Sequence, residues 1–151
     1  MKLFKVRSGD AARSLFISTA ESFVGLTVPN LNAVPFTQAI GRQGTTWNGV
    51  FIDYCAVKAG LGEEIPSHIS TASSLGTFVK SLQLHNRPLP GDIAYFEIPT
   101  DVGPRVGIVT DVSMWEKFGM FQCVEAQTDS GLAARPRPPA RDRLTSNVAV
   151  R

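Results

Sequence analysis

The stretch Thr45-Thr46-Trp47-Asn48-Gly49-Val50-Phe51-Ile52-Asp53-Tyr54-Cys55 constrains the fold more than any other. Two threonines and an asparagine stand just before a long apolar run, and residues of this kind cap helix N-termini. The run continues through Ala56, Val57 and Ala59, with Asp53 and Lys58 its only charges. A helix that is apolar nearly all round belongs inside a protein, and Gly60 supplies a stop after Ala59. The expectation is a buried helix over about 48–59, with a polar N-terminus reached through a Gly-rich loop. Such a helix start is a common seat for a nucleophile.

The remainder of the chain has to enclose this helix. With 151 residues it is long enough for one domain with a sizeable core. Asp10 reads as the cap of an earlier helix over about 11–24, where Ala12, Leu15, Phe16, Thr19, Phe23 and Val24 make an apolar stripe before Gly25. Residues 26–46 hold Pro29, Pro35, Gly41 and Gly44 and read as loop. Residues 62–70, with Pro66, read as a linker. A third helix is expected over 71–84 from Leu75, Phe78, Val79 and Leu82, against the cost of Gly76.

After residue 85 the pattern changes. Pro88-Leu89-Pro90-Gly91-Asp92 is turn chemistry. Residues 93–98, 106–112 and 120–126 then read as three strands spaced for an antiparallel meander. Residues 1–7 suggest a short edge strand or arm, and 147–151 a closing strand. Residues 131–143 read as irregular and basic, with Arg135, Arg137, Arg141 and Arg143 among prolines. Helices first and a sheet second is the α+β class, here one domain with a helical part over about 10–85 and a sheet part over about 90–151.

The order of these motifs resembles the CHAP/NlpC-P60 superfamily of papain-like cysteine amidases and endopeptidases that cut peptidoglycan. Trp47, Phe51 and Ala59-Gly60 hold places of that family's core helix. Pro90-Gly91-Asp92-Ile93 and Phe96 match its turn and first strand. Val106-Gly107-Ile108-Val109 match the strand that normally begins His-Val-Gly. The resemblance covers residues 11–126, with a weaker echo at 147–151. It implies a papain-like arrangement with N-terminal helices packed on an antiparallel sheet.

The departures from that pattern decide the expected chemistry. The nucleophile position after Trp47 is Asn48, and the general-base position before Val106 is Arg105. A carboxamide cannot attack as a thiolate does, and a guanidinium stays protonated far above neutral pH. Two replacements of such different size and charge read as a natural loss. Glu125 and Gln127 fall where the family places the residue that orients its histidine. Glu125 has two readings: a charge-assisted contact with Arg105, or a solvated strand residue. The resemblance thus implies a degenerate site at Asn48, Arg105, Glu125 and Gln127, and a groove lined by Trp47, Asn48, Arg105 and Glu125.

Other residues offer no ready substitute. Cys55 lies seven residues beyond Asn48, about 10 Å further along the helix axis. It reads as a packed core thiol, and Cys123 as a core or edge thiol of its strand. His68 and His85 read as exposed loop residues, with no spacing for a metal site. Asp92, Asp101 and Asp111 sit at turns and strand ends, where Asp92 suits turn chemistry better than calcium. No cofactor or metal is expected. The Arg135–Arg143 run lacks interleaved aromatics, which favours a solvated loop or a protein-docking arm over nucleic acid.

The composition, 43% hydrophobic and 19% charged with a net charge of +2, is that of a globular chain and argues for no polyanion by itself. Residues 1–7 have no signal-peptide core, and no segment reaches the roughly 20 apolar residues of a membrane span. The combined expectation is a non-catalytic CHAP-like domain in a bacteriophage virion, at a tail, baseplate or capsid surface, assembled in the host cytoplasm. Its partners would be other virion proteins in multiple copies, with peptidoglycan as a possible ligand. The competing expectation is an active peptidoglycan amidase or endopeptidase with a rearranged site.

Overall fold

The computed structural model describes residues 2–6, 9–24, 47–67, 84–96, 105–127 and 131–136. Its elements are β1 (Lys2–Phe4), α1 (Asp10–Glu21), α2 (Trp47–Lys58), β2 (Leu84–His85), β3 (Ile93–Phe96), β4 (Arg105–Asp111), α3 (Trp115–Phe118), β5 (Gln122–Gln127) and β6 (Gly131–Pro136). The class is α+β. Among the described residues six strands form one antiparallel sheet in the order β2-β1-β3-β4-β5-β6.

Helix α1 starts after Gly9, whose backbone is extended, and places Asp10 in the first turn where a negative charge suits the helix dipole. The aspartate is thus inside the helix, and the cap is the residue before it. The buried side of α1 is Phe16 and Ala20, with Ala12 and Phe23 partly buried against the same core. Leu15 and Val24, expected on that stripe, are 48% and 43% exposed. A period of 3.6 brings 12, 16, 20 and 23 onto one line and leaves 15 beside it.

Helix α2 ends in a Schellman motif. Gly60, at φ +73°, donates to Val57 O at 3.1 Å and Leu61 donates to Ala56 O at 2.8 Å, so Leu61 folds back and is buried. The inner side of the helix buries Val50, Phe51, Ile52, Cys55 and Ala56. The helix is less uniformly enclosed than its composition suggests, since Val57 is 62% exposed. Lys58 lies over the Tyr54 ring at 5.5 Å.

Side chains alternate across the sheet and build two cores. Phe4, Ile93, Tyr95, Val106, Ile108 and Val124 meet α1 and α2 on one face. Leu3, Ala94, Phe96, Val109 and Cys123 meet Trp115 and Phe121 on the other. The second face is closed through α3, which Gly119 terminates at φ +64°. Phe121 stacks on Phe96 at 6.1 Å and lies 6.2 Å from the Trp115 ring.

Three expectations change. β1 is an interior strand between β2 and β3, because Leu3 and Phe4 are apolar toward both cores and need cover on each side. Leu84 and His85 form a strand paired with Phe4 and Leu3, so the expected third helix does not run through Leu84, and His85 is not in a loop. The other residues of that helix, 71–83, lie outside the described residues. Residues 131–136, expected to be irregular, form β6, because the β5 backbone offers a full ladder of partners there. The strand expected over 147–151 lies outside the described residues.

Candidate functional site

The site expected from the sequence centres on the start of α2 and the start of β4. Trp47 and Asn48 are the first two residues of α2, and Gly49 behind them is buried. Arg105 opens β4 opposite Phe96. The side chains of Trp47, Asn48, Arg105 and Gln127 lie outside the described residues, as do Thr45 and Thr46.

Strand register places the rest. Val106 and Ile108 face the helices, and Val109 faces the second core. Glu125 lies on that face too, two residues from Cys123 and next to Val124, which pairs with Ile108. Glu125 is therefore on the face of the sheet away from α2. Of the four positions 47, 48, 105 and 125, Glu125 alone has its side chain among the described residues.

Glu125 is only 1% exposed, which overturns the solvated-strand reading of that residue. Its Oε1 accepts a hydrogen bond from Cys123 Sγ at 3.4 Å. A Cβ on Gly107 would come within 2.8 Å of Glu125 Cγ and 3.1 Å of Cys123 Sγ. The Glu125 stem thus lies across β4 where only glycine leaves room. This explains Gly107 by packing: the missing side chain admits a buried carboxylate.

Both cysteines are fully buried. Burial pushes the Cys55 thiol far above its ordinary range, because an apolar surrounding penalises the thiolate. A thiol so placed is neither ionised nor reachable near neutral pH. Cys123 likewise packs in the second core with its proton directed to Glu125.

The densest polar contact in the described molecule is elsewhere. Arg13, on α1, donates through Nε and Nη2 to Pro90 O, through Nη1 to Val6 O and through Nη2 to Asp92 Oδ1 at 3.2 Å. The Asp92 side chain is fully buried and its Oδ2 accepts the Leu89 N–H at 2.8 Å. Turn chemistry at Asp92 was legible in Pro90-Gly91-Asp92, but its arginine partner 79 residues away was not. The Gly91 φ of +88° brings its Cα against Arg13, where a Cβ would sit 3.3 Å from Nε. A buried carboxylate held by a guanidinium and a backbone N–H among its partners is a joint between helix and sheet.

Two smaller features complete the picture. Asp53, 8% exposed inside α2, accepts a hydrogen bond from the Ser67 hydroxyl at 3.2 Å and so ties the segment after the helix to it. A shallow groove of about 670 Å³ runs past Lys5, Asp10, Ser14, Ile17 and Leu89 beside the Arg13 joint. Among the described residues no group of three or more His, Cys, Asp or Glu could hold a metal ion. His85 lies in β2, and His68 and Asp101 lie outside the described residues. No helix among them is long and apolar enough to cross a membrane.

Comparison of the chain with protein-family models, with characterised proteins and with solved structures finds no match.

Proposed function

We propose that the chain is a non-catalytic domain of papain-like, CHAP/NlpC-P60 type, used as a structural or binding module in a bacteriophage virion. The observation that carries the non-catalytic reading is the burial of both cysteines, with the Cys55 thiolate strongly disfavoured. An enzyme with a rearranged site would need one of those thiols, or an unrecognised group, as nucleophile. Asn48 and Arg105 supply neither a nucleophile nor a base. Glu125 is packed against Gly107 and Cys123 and is closed to a substrate.

The resemblance in motif order supports the family, and the α+β architecture with a central antiparallel meander is compatible with it. The virion placement rests on that resemblance. Partners in this reading are other virion proteins, and peptidoglycan is a ligand held without cleavage.

Purified chain incubated with peptidoglycan in a zymogram and a turbidity assay is expected to give no clearing. Clearing that disappears in Cys55→Ser would overturn the reading. A pull-down on purified cell walls separates a wall-binding module from one that contacts virion proteins alone.

A further inference from the structure

The groove beside the Arg13 joint is built from parts of the chain that the proposed function does not use. Its volume of about 670 Å³ lies within the range of small-molecule sites. Its walls are the first two turns of α1, the chain just after β1 and the turn before β3. Ile17, Leu89 and Pro90 give it an apolar side, and Leu89 is 37% exposed. Lys5, Asp10 and Ser14 give it a polar side. All three are exposed, and among the described residues none of these side chains has a hydrogen bond or an ion pair. The fourth polar member, Arg13, is spoken for. Its charge is matched by Asp92 at 3.2 Å, and the Pro90 and Val6 carbonyls hold its fork in place. One unmatched positive group, Lys5, and one unmatched negative group, Asp10, therefore border a groove with an apolar side.

We propose that this groove binds a free α-amino acid with an aliphatic side chain. The ligand carboxylate pairs with Lys5, its ammonium pairs with Asp10, and its side chain covers Leu89 and Ile17. A simple anion meets Asp10 and a simple cation meets Lys5, so each faces a like charge. A zwitterion faces none, and that difference is what selects it. Covering the half-exposed Leu89 removes apolar surface from water, which a polar zwitterion such as glycine cannot do. The Arg13 joint already holds α1 against the turn before β3, so binding does not have to order the walls. The inference uses no residue of α2 or β4, so it fails or stands separately from the proposed function.

The test is a titration of the full chain with L-leucine, followed through its backbone amide NMR signals at neutral pH. Saturable shifts are expected in the first half of α1 and in residues 89–91, with a dissociation constant on the order of 1–10 mM. Glycine, N-acetyl-leucine and leucinamide lack the side chain, the ammonium and the carboxylate in turn, and each is expected to bind about fivefold more weakly. Lys5→Gln is expected to bind leucine and leucinamide equally, and Asp10→Asn to bind leucine and N-acetyl-leucine equally, because each variant removes the partner of the group that the analogue lacks. The same spectra show whether a variant is folded, and the ligand series on the wild-type chain decides the matter without the variants. The proposal is overturned if leucine gives no saturable shift at these amides, if the three analogues bind as tightly as leucine, or if folded Lys5→Gln and Asp10→Asn keep the wild-type preferences.

Discussion

The two faces of the sheet close off water by different means. On one, α1 and α2 lay down a continuous apolar layer, and Phe23 meets Phe51 and Tyr54 edge-on at 6.3 and 5.6 Å. On the other, a single helical turn brings Trp115 over Phe121 and Phe96, and the sheet itself buries a carboxylate beside a thiol. The helical face tolerates little polarity beyond Asp53 at its rim. The second face depends on one glycine, Gly107, to make room for Glu125. An apolar layer contributes through area and is insensitive to detail. A buried acid contributes only while its surroundings fit it, and it is costly once they do not.

Substitutions can break that comparison in graded steps. The largest effect is expected at the Arg13 joint that ties α1 to the sheet. Asp92→Ala leaves a nearly buried guanidinium and the Leu89 N–H without their carboxylate, and is expected to cost about 3–5 kcal/mol in urea unfolding. On the helical face, Phe51→Ala removes a fully buried ring and is expected to cost about 3–4 kcal/mol through the cavity it opens.

The second face is tested by Gly107→Ala, expected to cost about 1–3 kcal/mol by overpacking against Glu125, Cys123 and the Val124 carbonyl. The double variant with Glu125→Ala should recover part of this loss. Strict additivity would show that Glu125 does not own the space over Gly107. A turn outside both cores gives the control. Gly60→Ala meets no atom within 4 Å but must hold φ +73°, so a loss of only about 1 kcal/mol is expected.

The buried thiol of the helical face makes a pH prediction of definite sign. The folded Cys55 holds its proton above the pH at which an unfolded cysteine loses it. Stability from this group is therefore constant below pH about 8.5 and falls as pH rises beyond it, by up to about 1.4 kcal/mol per unit. Unfolding measured at pH 8 and pH 10 should show a smaller drop for Cys55→Ala than for wild type. An identical drop in both would mean that the thiol ionises equally in the two states.

Periodicity and turn chemistry made much of this architecture legible. The apolar run from Val50 to Ala59 with Gly60 behind it marked α2 and its stop. Alternation around Tyr95, Ile108 and Val124 marked the meander, and Pro90-Gly91-Asp92 its first turn. What escaped reading has a common cause. β6 has the composition of a loop, and only the hydrogen-bonding edge of β5 makes it a strand. β1 looked like an edge because three residues carry no sign of who their neighbours are. α3 is a single turn, too short for a periodic signal, although Trp115 and Phe118 before Gly119 hinted at it.

The candidate site divides in the same way. Residue chemistry alone denies Asn48 the part of a thiolate nucleophile and Arg105 that of a base, since no packing turns a carboxamide or a guanidinium into either. It also marked Cys55 as a core thiol from its apolar neighbours. Whether Glu125 met water or the interior was open in the sequence, because a carboxylate on a strand suits both settings until the face it shares is known. Register decided it, placing Glu125 over Gly107 on the face away from α2. The pairing of Arg13 with Asp92 was likewise beyond the sequence. Local propensity acts between neighbours in the chain. Buried charge is settled by partners many residues away, and those are chosen when the strands find their order.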